Sequence, residues 1–332
     1  MSKHRLAVFI HQGSDSKVGG PHSFLTNFQT YFSRKQITLA NSLDEAKVLF
    51  ISVSCPMALL CKAKMRRLKI VQLLDCLHYR SRNGRFWCWK NKKAWMIYRF
   101  FADHVVFQTH YAHQQVILLA GKPRSSFSVI PNATDEQVFH PEETPRQAQS
   151  TYRFLTSGSY RHIDMIRPLV QALDLFAQPR NFTLDVIGPI EDDALIKEWQ
   201  RPYVRLLGKK SANEIASELR QSDLYLFCAL NSACPNVIVE ALASGVPVVS
   251  FDSGGVRELM GRDLAGLVEA PNKILQTESD LSPAAYHRTI LAVLADLTRQ
   301  REIVRMSAPL HYLAGMGEAY ESLFQSLCES TS

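Results

Sequence analysis

The stretch from Asp223 to Leu259 leaves this chain few ways to fold. Leu224 to Leu230 is an unbroken apolar run, the pattern of a strand buried on both faces of a parallel sheet. A short polar loop follows. Pro235 then suits the first turn of a helix, and Gly245 ends that helix where positive φ is cheap. Val246 to Phe251 is the next strand, and Asp252-Ser253-Gly254-Gly255 opens a second helix. Two successive strand-loop-helix units therefore aim their loops and helix N-termini at one crevice beyond the carboxyl ends of parallel strands. Such a crevice favours anions, because unpaired backbone N–H groups and the helix dipole both attract negative charge.

The same alternation runs through the chain. Leu6 to Ile10, Lys47 to Val53, Lys69 to Leu74 and Ala102 to Thr109 read as strands of a first half. A helix starting near Pro21 or His22 and another over Leu59 to Leu68 lie among them. Strands over Tyr152 to Ser157, Phe182 to Gly188, Val204 to Gly208 and Leu264 to Val268 belong to a second half, with helices through Ile166 to Phe176 and Ser211 to Arg220. Ser211 and Glu214 form an S-x-x-E capping box. Amphipathic helices are predicted over Ala284 to Leu297 and Pro309 to Leu327. Pro141 to Ser150, polar and with two prolines, is the best linker. The fold predicted is α/β, two Rossmann-like doubly wound domains facing across a cleft. Their expected bounds are 1–145 and 146–308, with 309–332 crossing back to the first.

Composition narrows the setting. A chain of 332 residues, 46% hydrophobic, can fill two cores. No apolar run approaches the eighteen or so residues of a membrane span. The start, Met1 to Ile10, has too short an apolar part for a signal peptide and reads as the first strand. Seven cysteines, an odd number without a C-x-x-C pair, argue against a disulfide framework or a structural zinc site and fit a reducing cytoplasm.

Pro235-Asn236-Val237-Ile238-Val239-Glu240-Ala241-Leu242-Ala243-Ser244-Gly245-Val246-Pro247-Val248-Val249, followed by Gly254-Gly255-x-x-Glu258-Leu259, resembles the donor-nucleotide signature of the family 4 retaining glycosyltransferases of GT-B architecture. The resemblance implies that Glu240, at the position of the family's helix glutamate, holds the ribose of a nucleotide sugar. It makes Ser159, Ser232, Pro235, Asn236 and Val237 donor-binding positions beside it. The Gly19-Gly20-Pro21 loop resembles the family's glycine loop, which faces the donor phosphates across the cleft. In the loop after the third strand, Asp75 and His78 are the catalytic candidates, with no base assigned between them. Arg161 matches the arginine that meets the donor diphosphate. The sequence departs from the family twice: Ser232 stands eight residues before Glu240, where the family has a second acid, and Ile163 and Asp164 stand where a lysine is expected.

The net charge is +7 and the pI near 9.0, which suits a diphosphate, an anionic membrane or nucleic acid. Arg80 to Trp95 concentrates six basic residues and three of the four tryptophans. Rings at headgroup level with cations on phosphate would be peripheral membrane or lipid-linked acceptor contact; stacking on bases would be nucleic acid. Trp95, Tyr98 and Phe101, at three-residue spacing, would instead be the packed face of a helix. With the resemblance, the expectation is a retaining enzyme that moves a sugar from a UDP- or GDP-linked donor to a glycan or lipid-linked saccharide. It would act without nucleic acid, and without a metal or cofactor beyond the nucleotide sugar, in the cytoplasm or at the inner face of a membrane. The alternative is a GT-B scaffold that binds nucleotide or a partner and transfers nothing, for which Ser232 and the missing lysine speak.

Overall fold

A computed structural model describes residues 5–11, 20–142, 151–177, 181–271 and 274–329. The chain forms two compact units, Met1–Ala133 with Leu313–Ser332, and Thr134–Tyr312.

In the first unit the strands are β1 (Arg5–Leu6), β2 (Val8–His11), β3 (Thr38–Leu39), β4 (Val48–Ser52), β5 (Lys69–Leu73), β6 (His104–Phe107) and β7 (Ser126–Val129). All pair in parallel. The order is β2-β4-β5-β6-β7, and β1, which runs into β2 past Ala7, pairs with β3. Period-two alternation sends side chains into two cores. Val48, Phe50, Val71 and Leu73 join one with the aromatic face of the helix Gly20–Arg34, while Leu49, Ile51 and Ile70 join the other with Leu60 and Ile97. Phe24, Phe28, Phe50, Tyr320 and Phe324 make the centre of the first core, with Phe28 and Phe50 stacked at 5.5 Å. The last helix, Leu313–Glu329, supplies Tyr320 and Phe324, and its Gly317 lies against the Tyr31 ring. That helix starts later than its amphipathic pattern predicts. Ala308–His311 is a 3-10 turn and Tyr312 is extended, because the Thr134 N–H takes the His311 carbonyl at 2.9 Å.

The second unit holds β8 (Tyr152–Ser157), β9 (Phe182–Ile187), β10 (Val204–Gly208), β11 (Leu224–Phe227), β12 (Val248–Phe251) and β13 (Leu267–Val268), all parallel in the order β10-β9-β8-β11-β12-β13. Numbered within the unit this is 3-2-1-4-5-6, the doubly wound dinucleotide-fold order, whose direction reverses between β8 and β11. Leu224 and Leu226 face one core, Tyr225 and Phe227 the other, so the sheet is covered on both sides. The chain passes between units at Ala133 to Thr134, ahead of the stretch that reads as a linker. Phe139 sinks into the second unit's core, and Arg220 Nη1 donates to the Val138 carbonyl at 3.0 Å; residues 143–150 lie outside the described residues.

The capping box at Ser211 and Glu214 forms as predicted. Gly245 ends the helix Asn236–Ala243 at φ +75°. Trp95, Tyr98 and Phe101 do not share a packed face: Tyr98 is buried, Trp95 is 40% exposed. The helix Trp87–Met96 runs into a π-turn, Ile97–Phe101, whose wider turn shifts the phase on which three-residue spacing depends.

Candidate functional site

The second unit's reversal point gathers the polar groups that matter. The helix Asn236–Ala243 buries Ile238, Val239, Ala241 and Leu242, which leaves Asn236, Val237 and Glu240, three and four residues apart, on its less buried face. Glu240 keeps part of its surface in contact with solvent, yet protein crowds its carboxyl, and this burial pushes its pKa up to about 8. Its charge is felt by the Tyr225 hydroxyl, itself raised mainly by burial. That hydroxyl lies 3.0 Å from Ser157 Oγ, receives the Ser157 N–H at 3.1 Å and donates to the Ser157 carbonyl. Glu240 is thus held beside the carboxyl ends of β8 and β11, where the fold places ligands.

The surrounding loops are locked by backbone contacts. Gly188 has φ +124°, and a Cβ there would lie 1.9 Å from the Gly158 carbonyl oxygen, so the exits of β8 and β9 touch. At the exit of β11, Asn231 is left-handed at φ +57°. Its backbone N–H donates to Ser253 Oγ at 2.9 Å, its Nδ2 donates to the Gln276 carbonyl at 2.8 Å, and its Oδ1 accepts the Gln276 N–H at 2.8 Å. Gly254, at φ +68°, lies so close to Ser232 that a Cβ would meet the Ser232 carbonyl oxygen at 2.0 Å, and the Gly255 N–H donates to that carbonyl at 2.9 Å. Ser232 and Pro235 are therefore fixed relative to the helix that carries Glu240.

Arg161 lies beyond Ser159 and the buried Tyr160 on the exit from β8. Its Nε donates to Glu191 Oε1 at 2.6 Å, in the loop after β9, with both side chains more than half exposed. In the sheet order Glu191 follows β9 and Tyr225 belongs to β11, the two neighbours of β8. An exposed pair of this kind contributes about 0 to 1 kcal/mol, so the guanidinium exchanges partners readily.

In the first unit, Asp75 and His78 come together on the exit of β5. Burial raises the Asp75 carboxyl pKa, against the opposing pull of the Cys76 N–H at 3.0 Å and of His78. His78 is shifted down, first by burial, then by Lys90 and Arg82, against a hydrogen bond with Asn83. Three amides hold this loop. Gln115 Oε1 accepts the Leu77 N–H at 3.0 Å and Asn83 Oδ1 the Tyr79 N–H at 3.1 Å. Asn91 clamps His78 from both sides, its Oδ1 accepting the His78 N–H at 2.9 Å and its Nδ2 donating to the His78 carbonyl at 2.8 Å. Gly20 opens the helix Gly20–Arg34, whereas Gly19 lies outside the described residues. Asn132 is structural, its Oδ1 accepting from the buried Gln108.

Sequence reasoning missed the Tyr225–Ser157 hydrogen bonds near Glu240, although a hydroxyl-bearing ring inside an otherwise apolar strand is the available signal. It also missed Asn91, hidden among lysines. Among the described residues no helix is long and apolar enough to cross a membrane.

This geometry has known counterparts. Two Rossmann-like units of these strand orders are the GT-B fold of glycosyltransferases. The chain superposes on HepE from Anabaena in complex with UDP with a TM-score of 0.73 at 15% identity, over 97% of this chain and 100% of that one. It also superposes on WaaG, a glycosyltransferase involved in lipopolysaccharide biosynthesis, with a TM-score of 0.66 at 13% identity, over 96% and 99%. Residues 151–296, which lie within the second unit, match the family described as Glycosyl transferases group 1. One component of the human phosphatidylinositol N-acetylglucosaminyltransferase is 28% identical over 179 residues, which are 52% of this chain and 37% of that protein. The GtfA component of the Streptococcus gordonii UDP-N-acetylglucosamine–peptide N-acetylglucosaminyltransferase is 29% identical over 38% of this chain and 24% of its own length. The match thus spans roughly a third of these relatives or less.

Proposed function

We propose that the protein is a retaining glycosyltransferase that moves a sugar from a nucleoside diphosphate donor, UDP-linked in the first instance, to a lipid-linked or glycan acceptor. The observation that carries this is the half-buried Glu240 carboxyl, close enough for its charge to act on the Tyr225 hydroxyl, on the helix after β11 in a 3-2-1-4-5-6 sheet. An acid with a raised pKa in a ligand crevice is a group awaiting a partner, and the two hydroxyls of a ribose supply donors for it. Relatives whose names specify UDP or an N-acetylglucosaminyl group support a UDP-sugar. Asn236 and Val237, on the same helix face as Glu240, flank the nucleotide, and the first turn of that helix attracts the diphosphate.

In this reading Arg161 leaves Glu191 for the diphosphate and offsets the charge that develops as the sugar–phosphate bond breaks. Ser159 and Ser232 contact the donor, with Ser232 offering a hydroxyl where the family has an acid. Asp75 and His78 serve the acceptor, whose hydroxyl attacks from the face the diphosphate leaves, and no metal is required. The Arg80 to Trp95 segment makes peripheral contact with an anionic membrane.

Ser232 and the Arg161–Glu191 pair favour a second reading, a scaffold that binds nucleotide without transfer. Incubation with a panel of UDP- and GDP-sugars separates the two. Release of nucleotide diphosphate, lost in Glu240→Ala and cut at least tenfold in Arg161→Ala, is expected of the enzyme. Nucleotide binding with no turnover of any donor contradicts it.

A further inference from the structure

A pocket of about 370 Å³ opens beneath the tryptophan-rich helix of the first unit, lined by Leu77, Trp87, Trp89, Trp95, Leu119 and Lys92. Its volume falls in the range of small-molecule sites. Its walls are indole rings and leucine side chains. Asn91 also lines it, but both ends of that amide are taken by the His78 backbone, so its polarity is spent on the loop. The Lys92 ammonium stands at the rim, 5.4 Å from the centroid of the Trp89 ring. A ligand for this space is a hydrocarbon with one anionic end.

The surroundings agree on that charge. Between Asp75 and Asp103 the sequence holds seven lysines and arginines and no acid. Arg80, Arg85, Lys90 and Lys93 are exposed around the same helix. The pocket is also tied to the candidate acceptor loop: Leu77 is part of its wall, and His78 is the next residue. Phe86, Trp89 and Phe100 are 57%, 72% and 57% exposed nearby, more apolar surface than packing requires.

We propose that this pocket takes one hydrocarbon chain of the acceptor, an amphiphile headed by a phosphate, laid beside His78 with its head at Lys92. The inference deepens the reading above, on which the description of this ligand as an acceptor rests; the pocket itself stands on its lining and charge.

Three of the four tryptophans line the pocket, and the fourth, Trp199, is buried in the second unit, so quenching reports occupancy without any turnover. The probe is 12-bromododecyl phosphate, used as monomer below its micelle concentration. Saturable quenching is expected, with affinity falling about fourfold for each methylene removed. Binding should weaken at least tenfold in Leu119→Phe, which fills the pocket, with Cys88→Phe, at another lining position, used instead should that variant fail to fold. Lys92→Ala should weaken the phosphate but not bromododecanol. Quenching that does not saturate, that ignores chain length, or that is unchanged in the filled variant overturns the proposal. So does flotation with phosphatidylserine vesicles, lost in Trp89→Ala, when the monomer does not bind; the segment would then be a bilayer contact only. Donor turnover without amphiphile binding removes the pocket alone, whereas amphiphile binding without turnover of any donor removes the enzymatic reading and leaves the pocket.

Discussion

The two units are built from the same kind of parallel sheet, yet they treat the carboxyl ends of their strands differently. In the second unit, loop backbones press on one another, Gly188 on Gly158 and Gly254 on Ser232, and Asn231 is bolted to Gln276. In the first unit, the loop after β5 is held by side chains reaching in from elsewhere, Asn83, Asn91 and Gln115, and the neighbouring helix leaves its aromatic rings exposed. Backbone-to-backbone contact fixes the shape of a loop, because a backbone atom cannot move alone. Side-chain props can be exchanged without rebuilding the sheet.

Glycine replacement should break the comparison most visibly. Gly188→Ala places a Cβ against a backbone oxygen that cannot move alone, and unfolding measurements should show a loss above about 4 kcal/mol. Gly84 in the first unit has φ +71° and ψ −171° but open space around it, so Gly84→Ala should lose only backbone strain, about 1 to 3 kcal/mol. Equal losses would contradict the contrast.

Next comes the pH dependence of Glu240. Its folded pKa, about 8, lies above the ordinary value of 4.5, so between these the folded state binds the extra proton. Its contribution to stability is therefore complete below pH 4.5 and is lost as pH rises through 8, by on the order of 5 kcal/mol. Glu240→Gln should flatten that part of the stability profile; an unchanged slope would show that the carboxyl is not desolvated.

A smaller effect is expected at Asn91. Asn91→Ala removes two hydrogen bonds to His78, which should cost about 2 kcal/mol and lower the transfer rate while UDP affinity stays unchanged. A parallel fall in UDP affinity would mean the loop is not a separate device. Smallest in stability is Arg161→Gln, within about 0.5 kcal/mol of the parent because its ion pair is exposed. UDP should nevertheless bind several-fold more weakly while uridine binds equally well.

How much of this was legible in the sequence follows the same division. The second unit's strands from Tyr152 and Phe182 begin where apolar runs put them, because burial on both faces writes continuous hydrophobicity into the chain. β3, two residues long, and β7, with Ser126 and Phe127 exposed, carry no such signal. Glu240 was legible as a carboxylate with apolar flanks. The Ser157–Tyr225 pair near it was not, since the two lie 68 residues apart and meet only through the pairing of β8 with β11. Of the readings open for the tryptophan-rich helix, a packed face at three-residue spacing is excluded by the π-turn after Met96, which has no marker in residue type.

The central claim is that Glu240 grips the nucleotide from the second unit, and calorimetric titration of UDP at pH 8.5 into the parent protein and Glu240→Ala tests it most directly. A dissociation constant at least tenfold weaker in the variant, with an unchanged far-ultraviolet spectrum, is the result predicted. Equal affinity for UDP in the two proteins would contradict it.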